Sequence, residues 1–177
     1  PGYDGSIGPL LSGTSYYITV RALDNASPPN DEGLYSVRSV TFTYDSGAPA
    51  RFVQAPADGM YFNNSIGLTI SGTAQDDLSG LQGVQVSVKD VTATKWWTGT
   101  HNDIGSFDTL NYVTADLSLN PTWQFIIPSG QLTQDFVHGR TYEIQARAWD
   151  TSGSTSDFTA VRTITYDNQV PTGTVIV

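Results

Sequence analysis

Carboxylates are the most numerous groups in this chain that could act together in chemistry. Of 17 acidic residues, 15 are aspartate and 2 are glutamate, set against 8 Lys and Arg, for a net charge of −9. Asp76 and Asp77 are adjacent, Asp150 and Asp157 flank a Ser/Thr-rich run, and Asp45 follows Tyr44. Oxygen donors of this kind suit a hard cation such as Ca²⁺. The same residues also have a metal-free use. Asp77-Leu78-Ser79-Gly80 and Asp150-Thr151-Ser152-Gly153 share the form Asp-x-Ser-Gly, in which a carboxylate accepts the N–H two residues on and Gly takes the positive φ. No EF-hand or nonapeptide-type ligand run is present.

Other chemistry fails on inventory. The chain has no cysteine, so thiolate metal sites and disulfides are excluded. Its two histidines, His101 in a polar stretch and His138 beside Gly139, stand in no spacing associated with a nucleophile, a metal or a partner carboxylate. No carboxylate pair is marked for glycoside hydrolysis. The expectation is a protein that is not an enzyme and has no cofactor beyond a Ca²⁺ option. Trp96 and Trp97 are the candidate ligand platform: adjacent on a strand, they face opposite ways, and the outward ring would either stack on a sugar or lie under a neighbouring loop. The segment 99–121, with Ile104, Phe107, Leu110, Tyr112 and Leu117, is long enough to supply that cover. An acidic surface repels nucleic acid and anionic lipid, and no apolar run is long enough to cross a bilayer.

The elements that must position these groups read as strands. Aspartate, Gly, Ser and Thr favour turns and caps, while glutamate and the other helix formers are scarce. Apolar residues alternate at period two in Ile66, Leu68 and Ile70, in Val84, Val86 and Val88, in Trp123, Phe125 and Ile127, and in Tyr142, Ile144, Ala146 and Ala148. Residues 51–55 make an opening strand, 95–97 a short one and 158–166 a closing one. Seven or eight strands with almost no helix signal predict an all-β, antiparallel β-sandwich of two sheets. In that topology the loop with Asp76 and Asp77, the turn with Asp150 and Asp157, and the linker with Asp45 lie at one end, so Ca²⁺ held there would stiffen a joint between units. Gly139-Arg140-Thr141-Tyr142 places a Tyr where such sandwiches use its hydroxyl on a backbone group at a corner.

The pattern also repeats. Residues 16–24, Tyr-Tyr-Ile-Thr-Val-Arg-Ala-Leu-Asp, return at 142–150 as Tyr-Glu-Ile-Gln-Ala-Arg-Ala-Trp-Asp, and Thr43-Tyr44-Asp45 returns as Thr165-Tyr166-Asp167. Each Tyr-Asp is followed at the same step by a proline, Pro49 or Pro171, which fixes φ and keeps the linker extended. The expected organisation is the C-terminal part of one repeat (1–48), a complete repeat (49–170) and the first strand of another (171–177).

The runs Ile70 to Gly80, Val84 to Val88, Trp97-Thr98-Gly99, Trp123-Gln124-Phe125, Tyr142 to Gly153 and Tyr166 to Pro171 resemble the bacterial immunoglobulin-like tandem repeats of very large surface and secreted proteins. The last strands resemble fibronectin type III modules. Two departures stand out: Ser154 where that family commonly has Asn, and Asp24-Asn25-Ala26-Ser27-Pro28-Pro29 in place of the turn in the first copy. The resemblance narrows the fold class to an immunoglobulin-like β-sandwich and implies an extracellular or cell-surface structural protein, such as a stalk, filament or adhesin shaft, that spans distance and presents other modules. Its partners would be neighbouring repeats of the same chain or identical chains in a filament. The rival expectations are an adhesive module for a polysaccharide or host surface, and an accessory domain of a secreted enzyme.

Overall fold

The computed structural model describes residues 8–31, 33, 40–99, 107–108, 113–119 and 121–173. His101, Ile104, Leu110 and Tyr112, and positions 174–177 of the expected third repeat, lie outside the described residues. The chain divides into two compact units, Pro1–Gly47 and Ala48–Val177.

In the first unit, β1 (Ser15–Ile18) pairs antiparallel with β2 (Val40–Thr43), Tyr16 opposite Phe42. A backbone pair, Gly13 N–H to Tyr44 O at 2.9 Å and Tyr44 N–H to Thr14 O at 3.0 Å, extends the ladder. Arg21 forms an ion pair with Asp31.

The second unit contains β3 (Ala50–Ala55), β4 (Met60–Phe62), β5 (Leu68–Gln75), β6 (Leu81–Asp90), β7 (Lys95–Trp97), β8 (Phe107–Asp108), β9 (Val113–Thr114), β10 (Asp116–Leu119), β11 (Thr122–Ile127), α1 (Ser129–Asp135), β12 (Thr141–Asp150) and β13 (Arg162–Tyr166). They form two sheets. One has the order β10-β11-β5-β3, the other β4-β13-β12-β6-β7-β8, with β9 also on β6. Pairing is antiparallel except for β4 with β13, which is parallel.

The alternating strands face a single apolar core drawn from both sheets. Ile70, Ala74, Trp123 and Ile127 come from the first, and Val84, Val86, Val88, Tyr142, Ile144, Ala146, Ala148 and Ile164 from the second. This is a sandwich-like, all-β unit, and its central alternation matches the period-two reading. Phe125 is only partly buried but packs on that core.

Three expectations are corrected. Ile66 is 93% exposed, because Gly67, at φ +80°, turns the chain just before β5 and the buried face begins at Leu68. The closing strand starts at Arg162 rather than Phe158; before it, Ser156 and Thr159 already bond β12 by backbone N–H groups to Ala148 and Ala146. A helix, α1, fills the connection from β11 to β12, where Leu132 is fully buried. Among the described residues, no helix is long and apolar enough to cross a membrane.

Candidate functional site

The acidic residues at one end of the second unit are ordered by their loops. Asp76 opens the turn out of β5, and its Oδ2 accepts the N–H groups of Leu78 at 3.1 Å and Gly80 at 2.8 Å, with the Ser79 hydroxyl at 3.5 Å. The turn is therefore anchored by Asp76, and not by Asp77 as the Asp-x-Ser-Gly form suggested. A single carboxylate oxygen reaching two N–H groups curls the loop tightly, and Gly80, at φ +87°, completes the curl.

Asp150 is the last residue of β12. Its Oδ1 accepts the Ser154 N–H and the Ser152 hydroxyl, both at 2.8 Å. The N–H two residues on, that of Ser152, instead bonds Ser79 Oγ at 3.3 Å. The Thr151 N–H and hydroxyl both donate to Gly80 O, at 3.0 and 3.1 Å. The two loops are thus stitched together, which brings one carboxylate oxygen of Asp76 within 4.8 Å of one of Asp150.

Two of the other predicted ligands, Asp77 and Asp157, are placed differently. Asp77 and Asp157 are exposed, and among the described residues the acidic grouping includes neither. Asp157 contributes its backbone carbonyl, which accepts Arg51 Nε–H at 2.7 Å. Asp45 belongs to the first unit, where its Oδ1 accepts the Gly47 N–H at 2.8 Å.

The tryptophans split as strand geometry requires. Trp97 is 1% exposed, and its Nε1–H donates to Asp135 Oδ2 at 2.8 Å. It packs edge-on against Phe125 and offers no face to a sugar. Trp96 points outward and is half-buried, with Lys89 Nζ 5.3 Å from its ring centre, while Lys89 also pairs with Glu143 at 3.3 Å. The outward ring is partly covered by a lysine of the neighbouring strand, and most of the segment expected to cover it lies outside the described residues. Of that segment, Leu117 packs against the core. His138 Nδ1 accepts the Asn168 N–H at 3.1 Å, a structural use.

Sequence reasoning missed two buried carboxylates. Asp90, 2% exposed, accepts Ala93 N–H at 2.9 Å and Arg140 Nη1–H at 2.7 Å, so it pins the turn after β6 to the start of β12. That hydrogen bond to Asp90, reinforced by the carboxylate's charge, raises the Arg140 guanidinium above its ordinary value. Asp135, under Trp97, is the other. The Asp at the end of the period-two run 84–88 is the one signal that could have found Asp90. For Asp135 nothing local distinguishes a buried partner from a solvated one.

The expected tyrosine corner is present. The Tyr142 hydroxyl accepts the Val137 N–H at 2.8 Å, and burial pushes its phenol up to about 12. Since an unfolded tyrosine titrates near 10, the stability tied to the neutral phenol is intact below pH 10 and is lost as pH climbs through about 12. Tyr142→Phe strands a backbone donor and is expected to cost about 1–2 kcal/mol at pH 8. It should also flatten the alkaline limb between pH 10 and 12, as read by urea unfolding across that range.

No family model matches the chain, and no curated protein matches it.

Proposed function

We propose that this chain is a non-enzymatic structural segment of an extracellular or cell-surface protein, built of immunoglobulin-like sandwich repeats in series and acting as a spacer and presentation scaffold. One observation carries the reading: the same hairpin occurs in both units with the same hydrogen bonds. Leu11 N–H donates to the Tyr16 hydroxyl and Val137 N–H to the Tyr142 hydroxyl, each at 2.8 Å and each five residues upstream. Gly13 N–H meets Tyr44 O as Gly139 N–H meets Tyr166 O, at 2.9 and 2.8 Å. A Tyr-Asp step and a proline follow in each copy. A duplicated corner at a domain-sized period favours copies whose number sets length.

The reading is tested by joining one, two and four copies of residues 49–170 through the native 167–171 linker and measuring the maximum dimension by small-angle scattering. Strands of about 8–10 residues at about 3.3 Å each predict a gain of roughly 30–40 Å per copy. A dimension growing only as a compact globule would overturn it. A second reading, adhesion to a polysaccharide or host surface, is favoured by the half-buried outward ring of Trp96. Glycan-array binding that disappears in Trp96→Ala would select that reading instead.

A further inference from the structure

Asp76 and Asp150 leave something unresolved that the hydrogen bonds of their loops do not settle. Asp150 is 0% exposed, and its Oδ2 has no hydrogen-bond partner; Asp76 Oδ1 is likewise buried and without one. Among the described residues neither carboxylate is ion-paired to Lys or Arg. A fully buried carboxylate and a half-buried one within 4.8 Å of each other repel, and an unpaired buried charge is among the costliest features a fold can carry. A positive charge between them removes both penalties.

We infer that Asp76 and Asp150 hold a divalent cation of the calcium class, which clamps the β5–β6 loop to the turn after β12. The donors are carboxylate oxygens, which suits a hard ion, and the chain has no thiol to attract a softer one. Two oxygens up to about 4.8 Å apart can both reach one Ca²⁺ at about 2.4 Å. A surface depression lined by Gln75, Asp76, Gly80, Leu81 and Pro121 adjoins Asp76 and gives water access to complete the shell.

The first hairpin supplies an internal contrast. Asp24, the repeat equivalent of Asp150, is exposed and has both oxygens bonded: Oδ1 accepts the N–H groups of Ala26 and Asn30, and Oδ2 accepts Asn30 Nδ2–H. These bonds hold its carboxyl below the usual range, the Asn30 side chain first. Where a turn supplies enough donors, no cation is needed. The Asp150 turn supplies donors to Oδ1 alone.

The inference concerns the second unit and stands whether or not the chain is a spacer. It is tested on the whole 177-residue chain by calorimetric titration with CaCl₂ and by thermal melts in CaCl₂ and in chelator. One ion per chain is expected, with a melting temperature raised by about 5–10 °C at saturation. Asp150→Asn and Asp76→Asn should each abolish the heat of binding, whereas Asp77→Asn should keep it. In chelator, Asp150→Asn should melt above the parent, since an amide N–H opposite Asp76 replaces repulsion with a hydrogen bond. If neither CaCl₂ nor MgCl₂ gives heat or changes the melt, and the parent is instead stabilised on acidification, a shared proton holds the pair and the inference is wrong. Should a variant fail to fold, the titration of the parent chain still decides.

Discussion

Gly72→Val is expected to abolish the native fold of the second unit, and Gly72→Ala to cost at least about 3 kcal/mol. Gly72 sits mid-β5, opposite Val53 on one side and Trp123 on the other. A Cβ there would lie 1.8 Å from the Phe52 carbonyl oxygen and 2.7 Å from Trp123 Cζ2. The carbonyl is part of the β3 backbone and cannot move aside without opening the β3–β5 ladder. The indole is fully buried and has nowhere to retreat. Gly130→Ala is the control: it lies in α1 with nothing within 4 Å of its added Cβ. It should be neutral or stabilising by up to about 1 kcal/mol. Urea midpoints and the near-ultraviolet tryptophan signal check both. A cooperative, parent-like transition in Gly72→Val would mean that β3 does not lie against β5 as described.

A second large effect uses the similarity of residues 16–24 to 142–150. Ile144 and Ile18 occupy equivalent positions, yet Ile144 is 0% exposed and Ile18 51% exposed. Ile144→Ala removes buried methylenes and leaves a cavity lined by the facing sheet, at an expected cost of about 2–5 kcal/mol. Ile18→Ala should cost no more than about 0.5 kcal/mol. The same pair of strands thus carries different energetic weight in the two units. Val20 and Phe42 are exposed, whereas their counterparts Ala146 and Ile164 are fully buried. Equal losses in the two variants, measured by chemical denaturation of the chain, would show that the first hairpin is as well covered as the second.

Much of this architecture was legible before any coordinates. Val84, Val86 and Val88 alternate with Gln85, Ser87 and Lys89, and only a strand with one face in a core accounts for that spacing. Tyr142 after Gly139 likewise announced its corner, since Gly139 takes φ +77° and the hydroxyl must reach back to a backbone donor. The failures were of three kinds. Ile66 fitted the alternation but fell beyond the Gly67 turn, because periodicity does not mark where a strand stops. Residues 129–135, Ser-Gly-Gln-Leu-Thr-Gln-Asp, carry weak helix propensity, and α1 forms because Leu132 is buried in the core. The parallel pairing of β4 with β13 joins residues about a hundred positions apart, which no local pattern encodes.

The candidate site divides in the same way. Composition and spacing alone establish an aspartate-rich, cysteine-free chain, alternating strands and loops carrying Asp76, Asp77, Asp150 and Asp157. They also establish that Trp96 and Trp97 face apart. Which tryptophan is buried, which aspartate anchors the first loop, and which carboxylate oxygens stay bare were decided only by the packing of the two sheets. The reason is that turn preference depends on a few neighbouring residues, whereas desolvation depends on what the whole fold places over each atom. Asp24 and Asp150 close the two similar runs 16–24 and 142–150, but β1 stops at Ile18 while β12 continues to Asp150. One is bonded through both oxygens and exposed; the other is buried with one oxygen unpaired.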